Sequence, residues 1–257
     1  MKGLARVKVR ALMFHDVVED GGWDASGFPG ARAGVYKLER RDFERHLAAI
    51  RTAVSAERVG VVTHRPQNAH EAQVLLTFDD GGTSAFDPVA DLLEHHGWRG
   101  HFFVPTGWIG TPGFLDVGRI RELRARGHVI GSHSCSHPRR MASCTRHELD
   151  GEWRNSIRVL EDILGEAVTV ASVPGGSYSA QVGEVAAEAG IQVLFNSEPT
   201  ATVRSAGPCL VLGRYAVRRG MAPEISGDFA AGHTLVCLRQ AALWKLKKAV
   251  KAVIGSA

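Results

Sequence analysis

Short apolar runs rich in β-branched residues recur along this chain, separated by longer segments whose apolar positions follow a helical period. Strands are predicted near residues 7–14, 59–63, 74–78, 100–104, 128–131, 168–173 and 191–195, with helices filling the gaps. Such alternation predicts parallel strands joined by crossover helices, an α/β protein. Local signals mark some helix ends. Asp87-Pro88 opens one helix and Gly97 closes it, because proline suits the first turn and glycine tolerates the left-handed cap. Thr145-Arg146-His147-Glu148 has capping-box spacing, and Gly165 ends the helix it begins. In 235–254, Leu235, Leu238, Ala242, Leu246, Ala249, Val250 and Val253 form one stripe, and Lys247, Lys248 and Lys251 lie on another face. This C-terminal amphipathic basic helix either packs its stripe on the body with the lysines in water, or docks on an anionic membrane surface.

Composition narrows the classes. The 257 residues are 44% hydrophobic and 23% charged, ordinary for a folded protein, and no Pro/Ser-rich linker divides them, so a single domain over 1–257 is expected. The net charge of +4 is spread along the chain rather than gathered in a tract, which argues against nucleic acid as a partner. Cys135, Cys144, Cys209 and Cys237 lie far apart without CxxC spacing and read as free thiols in a reducing compartment. The apolar stretch Ala11 to Phe14 is too short for a signal-peptide core, and no eighteen-residue apolar run occurs. A cytoplasmic location is expected, peripheral at the inner membrane face if the terminal helix docks.

Polar clusters follow the predicted strands, at the end where parallel α/β folds build their sites. His15 follows the first. Thr77-Phe78-Asp79-Asp80-Gly81 places two carboxylates where a buried strand emerges. Adjacent acids there repel unless a cation or proton separates their roles, although an Asp-Asp-Gly turn also forms for its backbone hydrogen bonds alone. His133-Ser134-Cys135-Ser136-His137 offers two imidazoles, and two histidines with one carboxylate make a three-ligand set that leaves positions open. Surface histidines at this spacing are the plainer alternative. Cys135 points away from both in an extended segment and is left out of the site. The Gly- and aromatic-rich loop 16–34 is either a substrate-binding loop or a solvated insertion.

Taken together, the Asp79-Asp80 and His133/His137 motifs, with Gly100-His101-Phe102-Phe103-Val104 between them, resemble the polysaccharide deacetylase family, also called the NodB-homology family or carbohydrate esterase family four. The likeness runs from about Val7 to Tyr215. It implies a distorted (β/α) barrel of about seven parallel strands and a metal-dependent hydrolase that removes an N-acetyl or N-formyl group from an amino sugar in a glycan or glycan precursor. By the same resemblance Asp80, His133 and His137 hold one divalent metal and Asp79 is the general base. The metal is zinc first, with Co, Ni, Mn or Fe also suited to the donors. Pro174-Gly175-Gly176-Ser177-Tyr178 is the substrate loop, with Ser177 or Tyr178 offering a backbone N–H to the oxyanion. The implied partner is an N-acylated amino sugar on an oligosaccharide, a lipid or a nucleotide.

Two departures stand out. Val173 occupies the position where many members carry an arginine that orients the base, and Leu210-Val211-Leu212 is followed by Gly213 where a late histidine is usual. Leu12-Met13-Phe14-His15-Asp16-Val17 resembles instead a subset of exopolysaccharide-processing members whose acid histidine sits on an N-terminal strand, which makes His15 the expected general acid and His101 and His233 the substitutes. A core-edge histidine bonded to backbone is the alternative for His15. The departures also motivate a rival, a degenerate member that binds carbohydrate without turnover. A second rival, a non-haem iron oxygenase, shares the donor set and would need O₂.

Overall fold

The computed structural model describes residues 8–64 and 73–254. Its strands are β1 (Val9–Phe14), β2 (Val17–Val18), β3 (Leu38–Glu39), β4 (Val59–Gly60), β5 (Gln73–Phe78), β6 (His101–Val104), β7 (Val129–Ser132), β8 (Val170–Ser172), β9 (Val193–Phe195), β10 (Arg204–Ala206), β11 (Cys209–Leu212) and β12 (Arg214–Ala216). The helices are α1 (Ala31–Gly34), α2 (Arg40–Ala53), α3 (Asp91–His95), α4 (Val117–Ala125), α5 (Arg146–Leu164), α6 (Ala180–Glu188), α7 (Glu224–Ala231) and α8 (Thr234–Ile254).

Ten strands share one sheet in the order β10-β11-β9-β8-β7-β6-β5-β1-β12, with β4 beside the lower half of β5. Every pairing in it is parallel except β10 with β11. The path is open in hydrogen bonds, yet β11 and β12 are separated by Gly213 alone. One kinked strand therefore pairs with β9 through its first half and with β1 through its second. A side chain at Gly213 would collide with the carbonyl oxygen of Glu198, so the kink requires glycine. Counting β11–β12 as one, seven parallel strands make the circuit, as expected.

Side chains alternate between two cores, because successive strand residues face opposite ways. Val9, Ala11, Leu75, Phe103, Val129, Val170, Val193, Phe195 and Leu212 fill the inside of the circuit. Leu12, Phe14, Leu76, Phe78, Phe102, Ile130 and Ala171 face outward onto the helices. This alternation aims the chemistry: Leu75 and Thr77 point inward, so Asp79 follows them at the mouth, and His133 follows Val129 and Gly131 in the same way.

The expected strands and the capping-box helix are present, with shifted ends. The strand expected over 59–63 is reduced to Val59–Gly60, and Val7, expected to begin β1, lies outside the described residues. Asp87-Pro88 does not open a regular helix. Asp87 has extended backbone angles, Phe86–Ala90 is irregular, and the regular turns begin only at Asp91. β10 to β12 were not anticipated. The four cysteines form no disulfide, and no helix among the described residues is long and apolar enough to cross a membrane.

Candidate active site

The C-terminal ends of β1, β5, β7 and β8 bring His15, Asp79, Asp80 and His133 to one mouth. The amide of Asp79 donates to the carbonyl of Phe14 at 3.1 Å, tying the end of β5 to the end of β1. His15, the next residue, lies close enough to contribute to lowering the pKa of both aspartates. Its Nδ1 is buried without a hydrogen-bond partner, and its ring packs on Tyr36 with centroids 4.7 Å apart.

Asp80, His133 and His137 present one ligand atom each within 4.8 Å of one another. Asp80 Oδ1 lies 3.4 Å from His133 Nε2 and 3.3 Å from His137 Nε2. Ligand atoms about 2.0–2.1 Å from a tetrahedral ion sit roughly 3.3–3.4 Å apart, so Asp80 Oδ1 stands at the spacing of a shared divalent metal from each histidine nitrogen. The tautomer also fits. Nδ1 of His133 donates to the carbonyl of Ser172 at 3.0 Å, which leaves the Nε2 lone pair for an ion. Burial by itself would raise the pKa of Asp80, but hydrogen bonds from both histidines and the charges of His15 and His133 hold it well below the carboxylate range.

The ligand loops are strained. Among the described residues, the non-glycine residues with positive φ are Asp80 (73°), Ser134 (63°) and His137 (60°), two of them candidate ligands and the third between the histidines. Backbone in this region costs an L-residue energy and persists only when its surroundings impose it. Here Glu152 of α5 does so. Its Oε2 accepts from the amides of Cys135 and Ser136 at 2.9 and 2.8 Å, and its Oε1 accepts from Ser136 Oγ at 2.6 Å. The amide of His137 donates to Ser134 Oγ at 3.1 Å. Sequence reasoning missed Glu152, although it lies one helical turn beyond the capping-box Glu148.

It also missed Arg214. This β12 residue is fully buried inside the circuit, and its NH1 and NH2 donate to the two oxygens of Asp79, both at 2.7 Å. NH2 also donates to Ser172 Oγ at 2.8 Å, and Nε donates to the carbonyl of Asn196 at 3.0 Å. Burial would raise the pKa of Asp79, but Arg214 first, then His133 and His15, pull it below its ordinary value. Burial would likewise lower that of His133, and the charges of Asp79 and Asp80 outweigh it and raise it. Val173 belongs to the outer core, facing away from Asp79. The absence of arginine there therefore leaves no gap, because the guanidinium reaches Asp79 from β12, on the β1 side of β5.

The substitutes for His15 fail on position. His101 lies inside the circuit with Nε2 3.0 Å from both the amide nitrogen and the carbonyl oxygen of Val62, and His233 pairs with Asp228 at the α7–α8 junction. The loop 174–178 follows β8, as expected, but its donors are spent locally. The amide of Ser177 donates to Pro174 and that of Tyr178 to Gly176, at 3.3 and 3.0 Å, while Ser177 Oγ accepts from the amide of Ala142. Gly175 and Gly176 supply the loop's positive φ, and a side chain at Gly176 would strike Ser197.

The loop 16–34 is built rather than loosely solvated. Asp16 is buried, and its Oδ1 accepts from Ser26 Oγ and Ser84 Oγ at 2.7 and 2.9 Å. Gly27 and Gly82 crowd this carboxylate so closely that neither could carry a side chain. The buried Lys37 donates to the carbonyls of Trp23 and Ser26. These bonds deliver Phe28 onto the His137 ring at 4.6 Å, where Trp108 and Phe114 join it at 4.9 and 5.0 Å. An aromatic wall thus flanks the ligand set.

Residues 67–194, half the chain, match the family model for polysaccharide deacetylase. The chain belongs to the polysaccharide deacetylase family. YxkH of Bacillus subtilis (strain 168) is 23% identical over 226 residues, 86% of this chain and 76% of that protein. The chitooligosaccharide deacetylase of Sinorhizobium fredii (strain NBRC 101917 / NGR234) is 32% identical over 120 residues, 46% of this chain and 54% of that enzyme. The chain therefore spans about half the length of the Sinorhizobium enzyme. IcaB from Ammonifex degensii shares the fold, with a TM-score of 0.68 at 21% identity over 88% of this chain and 97% of that one.

Proposed function

We propose that this chain hydrolyses the N-acyl amide of an amino sugar, releasing acetate or formate from a glycan or a glycan precursor. The observation that carries the reading is the pairing at one mouth of a two-histidine, one-carboxylate set with a second carboxylate gripped by a buried guanidinium. Asp80, His133 and His137 would hold one divalent metal, zinc first among those suited to the donors. Such an ion, when bound, lowers the pKa of water from 15.7 to about 7 and polarises an amide carbonyl.

The protein's own groups complete the reaction. Asp79 accepts the proton of the attacking water. Arg214 fixes the plane of that carboxylate and keeps it ionised, and each of its oxygens still has a free lone pair. His15 protonates the departing amine, a task that suits an imidazole near neutral pH. Phe28, Trp108 and Phe114 exclude water beside His137 and offer apolar surface to a sugar ring. A precursor linked to lipid or nucleotide, met on the cytoplasmic side, is the substrate we favour.

The non-hydrolytic reading draws its motive from Val173 and from the absent late histidine; Arg214 offers the guanidinium that the first lacks, and His15 is the acid proposed in place of the second. The test is release of acetate or formate by metal-loaded protein from N-acetylated chitooligosaccharides and an N-acylhexosaminyl lipid, abolished by chelator and restored by zinc. Absence of release across that panel would return the chain to the carbohydrate-binding reading.

A further inference from the structure

The terminal helix does not pack as an amphipathic stripe usually does. Along α8, half-buried positions recur at Val236, Cys237, Gln240, Ala241 and Trp244, and the residues between them are exposed. Val236 and Cys237 pack on the outer core, and Gln240 exchanges hydrogen bonds with both backbone groups of Ala216 on β12. The leucines lie elsewhere: Leu235, Leu238, Leu243 and Leu246 are 83, 60, 50 and 61% exposed. The expectation that the leucine stripe packs on the body is therefore overturned. A face of smaller and mixed side chains docks, because Gln240 satisfies the edge of β12 there.

The exposed leucines are set among cations. Arg239 and Lys245 are exposed and border the leucines on the same side of α8, Lys247 and Lys248 are exposed on another face, and α8 contains no acidic residue. Beside the helix, Lys8, Arg10, Trp244 and Lys245, with Glu198 as the one acid, line an open cavity of about 420 Å³. We propose that this face of α8 docks on an anionic lipid surface, its leucines entering the interface while the flanking lysines and arginines meet headgroups. A helix with an exposed apolar stripe bordered by cations, too polar to span a bilayer, lies in the plane of the membrane. A second copy fits poorly on the same face, since antiparallel or parallel α8 helices would bring like charges together.

The test uses the full chain and vesicles of phosphatidylcholine with or without about 30% phosphatidylglycerol. Sedimentation should show binding to the anionic vesicles only, weakened by salt. The double variant Leu238→Glu/Leu246→Glu spares the packing face, so melting temperature and hydrolysis of a soluble substrate should hold while vesicle affinity falls at least about tenfold. Arg239→Glu/Lys245→Glu, as a second variant, should lose binding at low salt. Failure of the full chain to bind anionic vesicles overturns the proposal. So does binding that the leucine variant leaves unchanged, or a concentration-dependent dimer that the variant dissolves. None of these outcomes bears on the proposed hydrolysis.

Discussion

Arg214 grips both carboxylate oxygens of Asp79 at 2.7 Å from β12, two strands away from β5, although they lie 135 positions apart in the chain. The pair is buried and bidentate, the geometry in which arginine and lysine are least interchangeable. Arg214→Lys should therefore keep metal and lower turnover by about 10²-fold, since a point charge cannot fix the carboxylate plane. Arg214→Met should go further and destabilise the fold by roughly 3–5 kcal/mol by leaving Asp79 uncompensated. Steady-state kinetics, metal analysis and urea titration decide it. Full turnover by Arg214→Lys would make the pair purely structural.

Ligand and positioning residues should separate cleanly. Asp80→Ala, His133→Ala and His137→Ala should each lose stoichiometric metal, whereas Asp79→Asn should retain it and lose about 10²- to 10⁴-fold in rate. Glu152→Gln removes the charged acceptor of two amides beneath the histidine loop, so metal affinity should fall about 10- to 100-fold with every ligand in place. Competition with a fluorescent chelator measures this. An unchanged affinity would mean that the loop holds its strained backbone unaided.

Six of the seven circuit strands, β1 and β5 to β9, were legible in the sequence because buried parallel strands are near-continuous apolar runs, and the candidate ligands were legible because they follow those runs; the seventh, β11–β12, was not. Arg214 was not. It lies in Gly213-Arg214-Tyr215-Ala216-Val217, a charge amid apolar residues after a glycine, which is a signal for a buried ion pair. The positive φ at Asp80, Ser134 and His137 leaves no trace in residue type, since none is glycine. For α8 the stripe was evident, but which face would dock depended on Gln240 meeting Ala216, a contact between elements that no periodicity contains.

His15 stands beside both aspartates with one ring nitrogen unpartnered. His15→Ala should keep metal and fold, lower amide turnover at least about 10²-fold and remove the alkaline limb of the pH–rate profile. The deficit should shrink with activated aryl esters, whose leaving group needs no proton. Near-normal amide turnover would move the acid elsewhere, and neither His101 nor His233 stands at the mouth to take the role.

His101 gives the fold an acid limit independent of the metal site. Burial inside the barrel pushes its pKa down to about 4, against an ordinary value of 6.5, with backbone bonds to Val62 and Leu76 only partly opposing. Between those values the unfolded chain binds a proton that the folded chain does not, so acid favours unfolding. The contribution of neutral His101 is complete above about pH 6.5 and is lost progressively as pH falls toward 4, where both states are charged. The size is about 3 kcal/mol at most. His128, also pushed down to about 4 by burial, titrates in the same direction. Urea unfolding at pH 7.0, 6.0 and 5.0, with chelator present throughout so that metal release does not contribute, should show stability falling with pH. For His101→Gln the slope should be shallower by close to one proton, about 1.4 kcal/mol per pH unit at the steepest point, whatever the variant's absolute stability. Equal slopes for the two proteins would show that His101 is protonated in the folded barrel.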